Sequence, residues 1–337
     1  MKKAKPVIVC VIAFVFCFIL YSLYLYQEQA CGLSAGTIGK NEMKGVSRLV
    51  TPVVEYKGKK YRRNTYLIAI LLIGVDTSGP MTETKTSGFG GQADGIFLIA
   101  EDTARDNIKI LMIPRDTMAE ITLTDLEGNV IGKDLQHITL AYAYGDGKEK
   151  SCAYIKEAVS GLLGGLQIDY YLAVNTSAIS VMNDKIGGVP VLVDTKDLEQ
   201  KDPSLKKGET VVLNGKQAEE FLRYRDVTVT NSALTRMERQ KQYMKSYIRQ
   251  LKKECRQNNQ LMIQMVHNMQ DYLLTDMDEV QYKKMAADFL AGGQLLTDQD
   301  IYVAPGTGVA TELYDEYHID PDALMEMILN LFYRQVE

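Results

Sequence analysis

The sequence predicts an α/β domain of three layers, α-β-α around a central mixed sheet, preceded by one transmembrane helix. Three observations carry that expectation. An unbroken run from Val7 to Tyr26 contains no charged residue, and a helix crossing a bilayer core takes roughly 20 apolar residues. Continuous apolar runs at 66–75, 96–100 and 108–113 have the pattern of strands buried on both faces. Segments with helical spacing lie between and after them, and strands that alternate with helices imply a layered α/β domain.

Taken in order, Met1-Lys2-Lys3-Ala4-Lys5 is basic, and residues 1–6 read as a cytoplasmic tail. The run at 7–26 reads as an uncleaved anchor, because the apolar region of a secretory signal is shorter, roughly 7–15 residues. Tyr21, Tyr24 and Tyr26 at its far end suit an interfacial belt. The N-terminus is thus expected in the cytoplasm and everything after about Gln27 outside the cell membrane. Residues 27–64 read as a stalk and a short hairpin that turns at Gly58, and 65–337 as the extracytoplasmic domain.

Within that domain the first buried strand ends at Asp76, and a loop containing Ser87-Gly88-Phe89-Gly90-Gly91 leads to Asp94. The strand at 108–113 is stopped by Pro114 and followed by Arg115-Asp116. A helix is expected beyond Lys150, closing at Gly164-Gly165, then a strand at 170–174, a helix at 177–184 and a strand at 189–193. A short helix follows at 215–222 and a long one from about Thr235 to Lys253, with Met237, Met244, Ile248 and Leu251 as its apolar stripe. Helices at 259–273, 277–291 and 321–334 and a strand near 301–304 complete the prediction.

The net charge of −5 excludes the general polyanion-binding surface of a non-specific nucleic-acid binder. Charge is uneven, however: Lys57, Lys59, Lys60, Arg62 and Arg63 crowd one short segment. It reads either as a soluble edge strand or as a contact for anionic head groups or wall polymer. Of the five cysteines, Cys31, Cys152 and Cys255 follow the apolar run, contain no CxxC pair, and leave a Cys152–Cys255 disulfide open. His137, His267 and His318 are scattered, without zinc or triad spacing.

The chemistry concentrates in two places. Arg223 and Arg225 alternate, so in an extended chain both side chains project to one side. Arg236, Arg239 and Gln240 have the spacing of one helix face. Guanidinium forks bind phosphate bidentately and keep their charge. Asp76 and Arg115 each follow a buried strand, and open α/β sheets gather ligand groups at the carboxyl ends of strands. Carboxylates that hold Mg²⁺ through oxygen, with arginines that neutralise phosphate oxygens, suit phosphoryl transfer without a covalent nucleophile. Each piece also has an ordinary reading: a turn or cap for Asp76, a local ion pair for Arg115-Asp116, and a solvated face for the arginine helix.

The order of these pieces resembles the LytR-CpsA-Psr family of cell-wall proteins of Gram-positive bacteria. The matching segments are Leu71-Leu72-Ile73-Gly74-Val75-Asp76, Ala93-Asp94, Ile113-Pro114-Arg115-Asp116-Thr117 and Ala141-Tyr142-Ala143-Tyr144-Gly145. They continue with Ile168-Asp169-Tyr170-Tyr171, Ile186-Gly187-Gly188-Val189, Leu213-Asn214-Gly215-Lys216-Gln217-Ala218, Arg223-Tyr224-Arg225-Asp226 and Arg236-Met237-Glu238-Arg239-Gln240. The resemblance covers roughly residues 66–255.

It implies a phosphotransferase that attaches a glycopolymer, such as teichoic acid or capsule, from a polyprenyl (pyro)phosphate carrier to peptidoglycan. Asp76, Asp94 and Arg115 would be the catalytic residues, Asp76 and Asp94 as Mg²⁺ carboxylates with Asp94 also a base for the attacking hydroxyl. Arg115, Arg223, Arg225, Arg236, Gln240, Gln92 and His137 would bind the pyrophosphate. The lipid tail would lie in an apolar tunnel between sheet and helices. Gln92 stands where the family commonly has arginine, His137 where it has lysine, and Ala233 where an acidic residue is frequent. The opposite wall of the pocket is therefore less charged. A non-catalytic protein that binds prenyl phosphates or wall polymer, and a prenyl-lipid pyrophosphatase, are the alternatives that the same residues allow.

Overall fold

The computed structural model describes residues 53–105, 107–224, 232–258, 261–278 and 295–336. The expected anchor and stalk at 1–52, Arg225, and most of the helix expected at 277–291 lie outside the described residues. Among the described residues no helix is long and apolar enough to cross a membrane.

The chain begins with a hairpin, Val53–Tyr56 (β1) and Lys59–Arg63 (β2), turning through Lys57 and Gly58 with positive φ. Leu67–Val75 (β3), Ala93–Asp102 (β4) and Asn107–Ile113 (β5) are the three apolar strands. A second hairpin, Met118–Thr124 (β6) and Val130–His137 (β7), precedes the helices Leu140–Ala143 (α1) and Glu149–Leu162 (α2). Then come Tyr170–Asn175 (β8), Thr176–Lys185 (α3), Val189–Leu192 (β9), Thr210–Leu213 (β10) and Gly215–Arg223 (α4). Ser232–Gln257 (α5), Leu261–Met269 (α6) and Leu273–Thr275 (β11) follow. The C-terminal part holds Ile301–Val303 (β12), Gly306–Ala310 (β13), Asp315–Ile319 (β14), Pro321–Phe332 (α7) and Tyr333–Val336 (β15).

Six strands form the central sheet in the order β11-β8-β3-β4-β5-β12. β8 lies parallel to β3 and β12 parallel to β5, while β4 runs antiparallel to both of its neighbours, so the sheet is mixed. Successive side chains point to opposite faces, and each face meets its own helices. Ile70, Leu72, Phe97, Ile99 and Ile110 pack with residues of α3, α4, α5 and α6. Leu71, Ile73, Leu98 and Leu111 pack with residues of α1, α2 and α7. That makes three layers. Cys152 belongs to the second core and Cys255 packs against the first, both as free thiols, so no disulfide joins them across the sheet.

Several elements differ from the sequence pattern. The helix expected at 259–273 ends at Met269, and Leu273–Thr275 turns into an edge strand beside β8. The helix expected to reach 334 stops at Phe332, where Tyr333–Val336 pairs with β2 and ties the N-terminal hairpin to the end of the domain. Helical periodicity continues through both segments, and the neighbouring strand edges override it. β9 pairs only with β10, in a separate two-stranded ladder.

Candidate functional site

β3, β5, β8 and β12 all run in one direction, so their carboxyl ends share one edge of the sheet. Asp76 follows β3 there, Arg115 follows β5, and β4 starts there with Gln92 and Asp94. Asp76 is fixed by the glycine-rich loop: it donates its N–H to Gln92 O at 3.0 Å, and its Oδ1 accepts the Gln92 N–H at 2.5 Å. Gly91 makes this approach possible. Its φ is +91°, and a Cβ there would lie 2.7 Å from Asp76 Oδ1 and 2.6 Å from Thr77 Cγ2.

Asp94 owes its position to a break in register. Gly74 pairs with Gly95 but Val75 with Ala93, so Asp94 is the extra residue of a bulge. Bulges re-aim a side chain out of the strand's alternation. The Asp94 carboxylate is fully buried and ion-paired with Arg115 Nη1, and Thr139 Oγ1 donates to it at 3.4 Å. Arg115 also donates through Nη2 to Gln92 Oε1 at 3.0 Å, and its Nε faces Asp116 Oδ1 at 3.2 Å. Gln92 therefore accepts from Arg115 rather than supplying a cation of its own.

The helices bring the second wall. Gly215 N donates to Asp184 Oδ1 at 2.6 Å and Ser180 Oγ donates to Glu219, so α4 runs antiparallel to α3. One turn beyond Glu219, Arg223 is level with Thr176, the first residue of α3, at the carboxyl end of β8. A capping box fixes the start of α4, with Gln217 N donating to Asn214 Oδ1 at 2.9 Å and Asn214 N to Gln217 Oε1 at 3.1 Å. The sequence reading of Arg223 as extended is corrected: it occupies the last turn of α4 and pairs with Glu219 at 3.3 Å. Helix-forming neighbours and the capping box outweigh the local alternation.

α5 runs the same way as α3, since Tyr243 Oη donates to Asn183 Oδ1 at 2.7 Å and Gln250 Nε2 to Ile186 O at 3.3 Å. Arg236 lies two turns before Tyr243, roughly 10 Å nearer the strand ends at ~1.5 Å per residue. Gln240 lies between. Both are almost fully buried, and Gln240 Nε2 has no hydrogen-bond partner among the described residues. Met237, Met244, Ile248 and Leu251 face the core as the stripe predicts. Arg239 differs from its neighbours. It is buried, its Nε donates to Phe221 O at 3.0 Å, its Nη1 to Asp197 Oδ2 at 3.0 Å and its Nη2 to Tyr224 O. It clasps the end of α4 to α5.

His137 ends β7 opposite Met118, packed edge-on against Tyr314 at 4.8 Å. Burial holds its pKa below the usual histidine value, with Asp116 pulling it up and Arg115 pushing it down. It adds no standing positive charge near neutral pH. Thr139 and Asp116, both in contact with the Asp94–Arg115 pair, were not read from the sequence as site residues. Neither has a distinguishing pattern, although Asp116 follows Arg115 directly. Arg225 and the side chain of Ala233 lie outside the described residues.

Among the described residues no group of three or more His, Cys, Asp and Glu side chains forms a metal cage. Mg²⁺ takes one or two carboxylates and completes its shell with water and phosphate oxygens; Asp76 and Asp94 are the carboxylates of that kind at this edge, Asp94 being engaged by Arg115. Other matching segments are scaffold. Asp169 Oδ2 accepts from Arg63 at 2.6 Å and from Ala69 N at 2.7 Å, and the buried Tyr142 donates to Gly147 O at 2.8 Å.

Comparison with solved structures gives the same fold. The crystal structure of Bacillus subtilis TagT is 20% identical and matches 79% of this chain and 90% of its own, with a TM-score of 0.55. A Streptococcus agalactiae protein is also 20% identical, over 79% of this chain and 88% of its own, with a TM-score of 0.59. TagT has also been solved bound to LI-WTA, at a TM-score of 0.57 and 20% identity over 79% of this chain and 90% of its own. In sequence, the chain is 30% identical over 185 residues to the polyisoprenyl-teichoic acid–peptidoglycan teichoic acid transferase TagU of Bacillus cereus. That match covers 54% of this chain and 52% of the relative, so the chain spans about half the length of the curated relatives it matches. The model of the LytR_cpsA_psr family matches residues 35–317, and the chain belongs to that family.

Proposed function

We propose that this chain is a membrane-anchored phosphotransferase that attaches a glycopolymer from a polyprenyl pyrophosphate carrier to peptidoglycan. The reading is supported by where the elements end: Asp76, Gln92, Asp94 and Arg115 lie at strand ends on one sheet edge, and Arg223, Arg236 and Gln240 lie on helices packed against that sheet toward the same edge. Membership of the family and the transferase name borne by the Bacillus cereus relative support it. The apolar run at 7–26 is the proposed anchor, with the domain on the outer side of the membrane.

In the reaction, a sugar hydroxyl of peptidoglycan attacks the phosphorus nearer the polymer. A new O–P bond forms, the bond to the bridging oxygen breaks, and polyprenyl phosphate leaves. Arg115, Arg223, Arg225, Arg236 and Gln240 hold the pyrophosphate oxygens, and the helix wall needs no exchange of partners at Gln240 to do so. Arg115 exchanges Asp94 for phosphate, which frees Asp94 to take the hydroxyl proton. Asp76 and Asp94 would hold Mg²⁺, which when bound supplies charge neutralisation at phosphate oxygens.

The test uses the full chain in detergent with a polyprenyl-pyrophosphate-linked polymer and peptidoglycan. Release of polyprenyl phosphate should depend on Mg²⁺ and fall at least a hundredfold in Asp76→Ala, with donor binding retained. Donor binding without release from any polymer-linked donor would instead mark a non-catalytic carrier protein. Release into water without an acceptor would mark a pyrophosphatase.

A further inference from the structure

The opposite end of the sheet carries a second concentration of positive charge. A cleft of about 440 Å³ opens there, lined by Arg105, Lys109, Arg334, Asn107, Asn330 and Tyr66 among others. It sits where β3 begins and β4 ends, about nine residues of β3 from Asp76, or roughly 30 Å at ~3.3 Å per residue. Among the described residues Asp102 is the one carboxylate in its lining, and it is engaged: Oδ1 accepts the Ala104 N–H at 3.0 Å and Oδ2 faces Arg105 at 3.4 Å. Lys109 and Arg334 have no ion-pair partner among the described residues.

The adjoining sheet β1-β2-β15 extends this charge. Its inner face is committed: Tyr56 donates to Asp322 Oδ1 at 3.0 Å, and Arg63 pairs with Asp169 at 2.6 Å. The outer face presents Lys60, Arg62 and Arg334, with the carboxylate of Glu55 on the same face opposite Lys60, because these positions alternate with the inner ones. Arg62 and Arg334 stand directly opposite one another in register. Like charges so placed are destabilising, and Arg62 Nε is buried with no hydrogen-bond partner among the described residues. An anion shared between the two arginines would remove both costs.

We propose that this cleft binds a sugar-phosphate segment of an anionic glycopolymer. The cations suit a phosphodiester. The Asn107 and Asn330 carboxamides and the half-exposed Tyr66 ring suit sugar hydroxyls and a sugar face. The concavity favours a polymer chain over a bilayer. Distance does too, since a membrane docked here would stand about 30 Å from the site that takes the lipid. The inference rests on the proposed function for the identity of the polymer, and its test reads binding alone.

Calorimetry on the full chain in neutral detergent would use a glucosylated glycerol-phosphate oligomer, inorganic phosphate and phosphatidylglycerol vesicles as probes. The oligomer should bind at least tenfold more weakly to Lys109→Glu/Arg334→Glu and severalfold more weakly to Tyr66→Ala. Lys109→Arg/Arg334→Lys should bind as wild type, which separates charge from folding. Three results overturn the proposal: oligomer binding unchanged in the double Glu variant, inorganic phosphate competing at equal concentration, or vesicles alone depending on these cations. Asp76→Ala should leave oligomer binding intact. Transfer activity without cleft-dependent binding would therefore sink this inference only, and cleft-dependent binding without transfer would sink the proposed function only.

Discussion

The two walls of the candidate site hold their donors against different partners. On the strand-end wall Arg115 is ion-paired with Asp94 and Asp116 and donates to Gln92, with its Nε left without a hydrogen bond among the described residues. On the helix wall Gln240 keeps an unpartnered buried amide, and Arg223 has one partly exposed carboxylate beside it. Arg239, between them in the same motif, is saturated by two carbonyls and Asp197. An arginine motif thus does not assign one role to its members. The acceptors that the protein itself supplies decide whether a guanidinium serves the scaffold or waits for a ligand. The strand-end wall must exchange Asp94 for phosphate, whereas on the helix wall the Gln240 amide needs no such exchange.

The comparison breaks first at Asp94. Asp94→Ala leaves Arg115 with Asp116 as its one remaining carboxylate and with Gln92 as an acceptor, and removing one partner of a buried pair costs about 3–5 kcal/mol. Asp116 stays within reach, so we expect about 3 kcal/mol, measured by urea denaturation of the full chain. Transfer should be lost at the same time. If Asp94→Ala is as stable as wild type, the strand-end wall is not preorganised by this pair.

Arg239 sharpens the same contrast. Arg239→Met keeps the volume but strips the donors from Phe221 O and Tyr224 O and the cation from Asp197. Buried acceptors left unmade cost about 1–3 kcal/mol, and Arg223 should lose its place level with β8. Stability should fall by about 2 kcal/mol, and donor KM should rise more than kcat falls. Arg223→Ala should show the reverse balance, since an i,i+4 surface pair is worth only about 0.3–0.5 kcal/mol. A large stability loss in Arg223→Ala would erase the distinction between clasp and ligand arginines.

Much of this was legible from residues alone. The apolar runs at 66–75, 96–100 and 108–113 became three of the four interior strands of the sheet, because burial on both faces leaves a continuous signal. Asp76 and Arg115 could be placed at one edge because strand ends locate ligand groups in such sheets. The bulge at Asp94 could not be read, since one unpaired residue leaves no mark on periodicity. The β6–β7 hairpin was missed because β7, Val130–His137, is exposed or half-buried throughout and shows no alternation. Arg239 looked like Arg236 in sequence, and the difference lies in carbonyls contributed by α4.

The smallest expected effect concerns His137, at the rim of the strand-end wall. Its pKa is depressed by burial, so the folded protein binds fewer protons there than the unfolded chain near the ordinary histidine value. Stability from this group is then full above the unfolded pKa of about 6.5 and declines as pH falls through the folded value. His137→Gln should flatten stability against pH in that acidic window and leave it unchanged at pH 8. The sign decides the chemistry as well. Were His137 a lysine-like cation toward substrate, its pKa would be raised, stability would instead fall as pH rises, and the variant would bind donor less well only below neutrality. Denaturation curves at pH 5 and 8, with and without inorganic pyrophosphate, separate the two: we expect the pyrophosphate effect to be the same in wild type and variant.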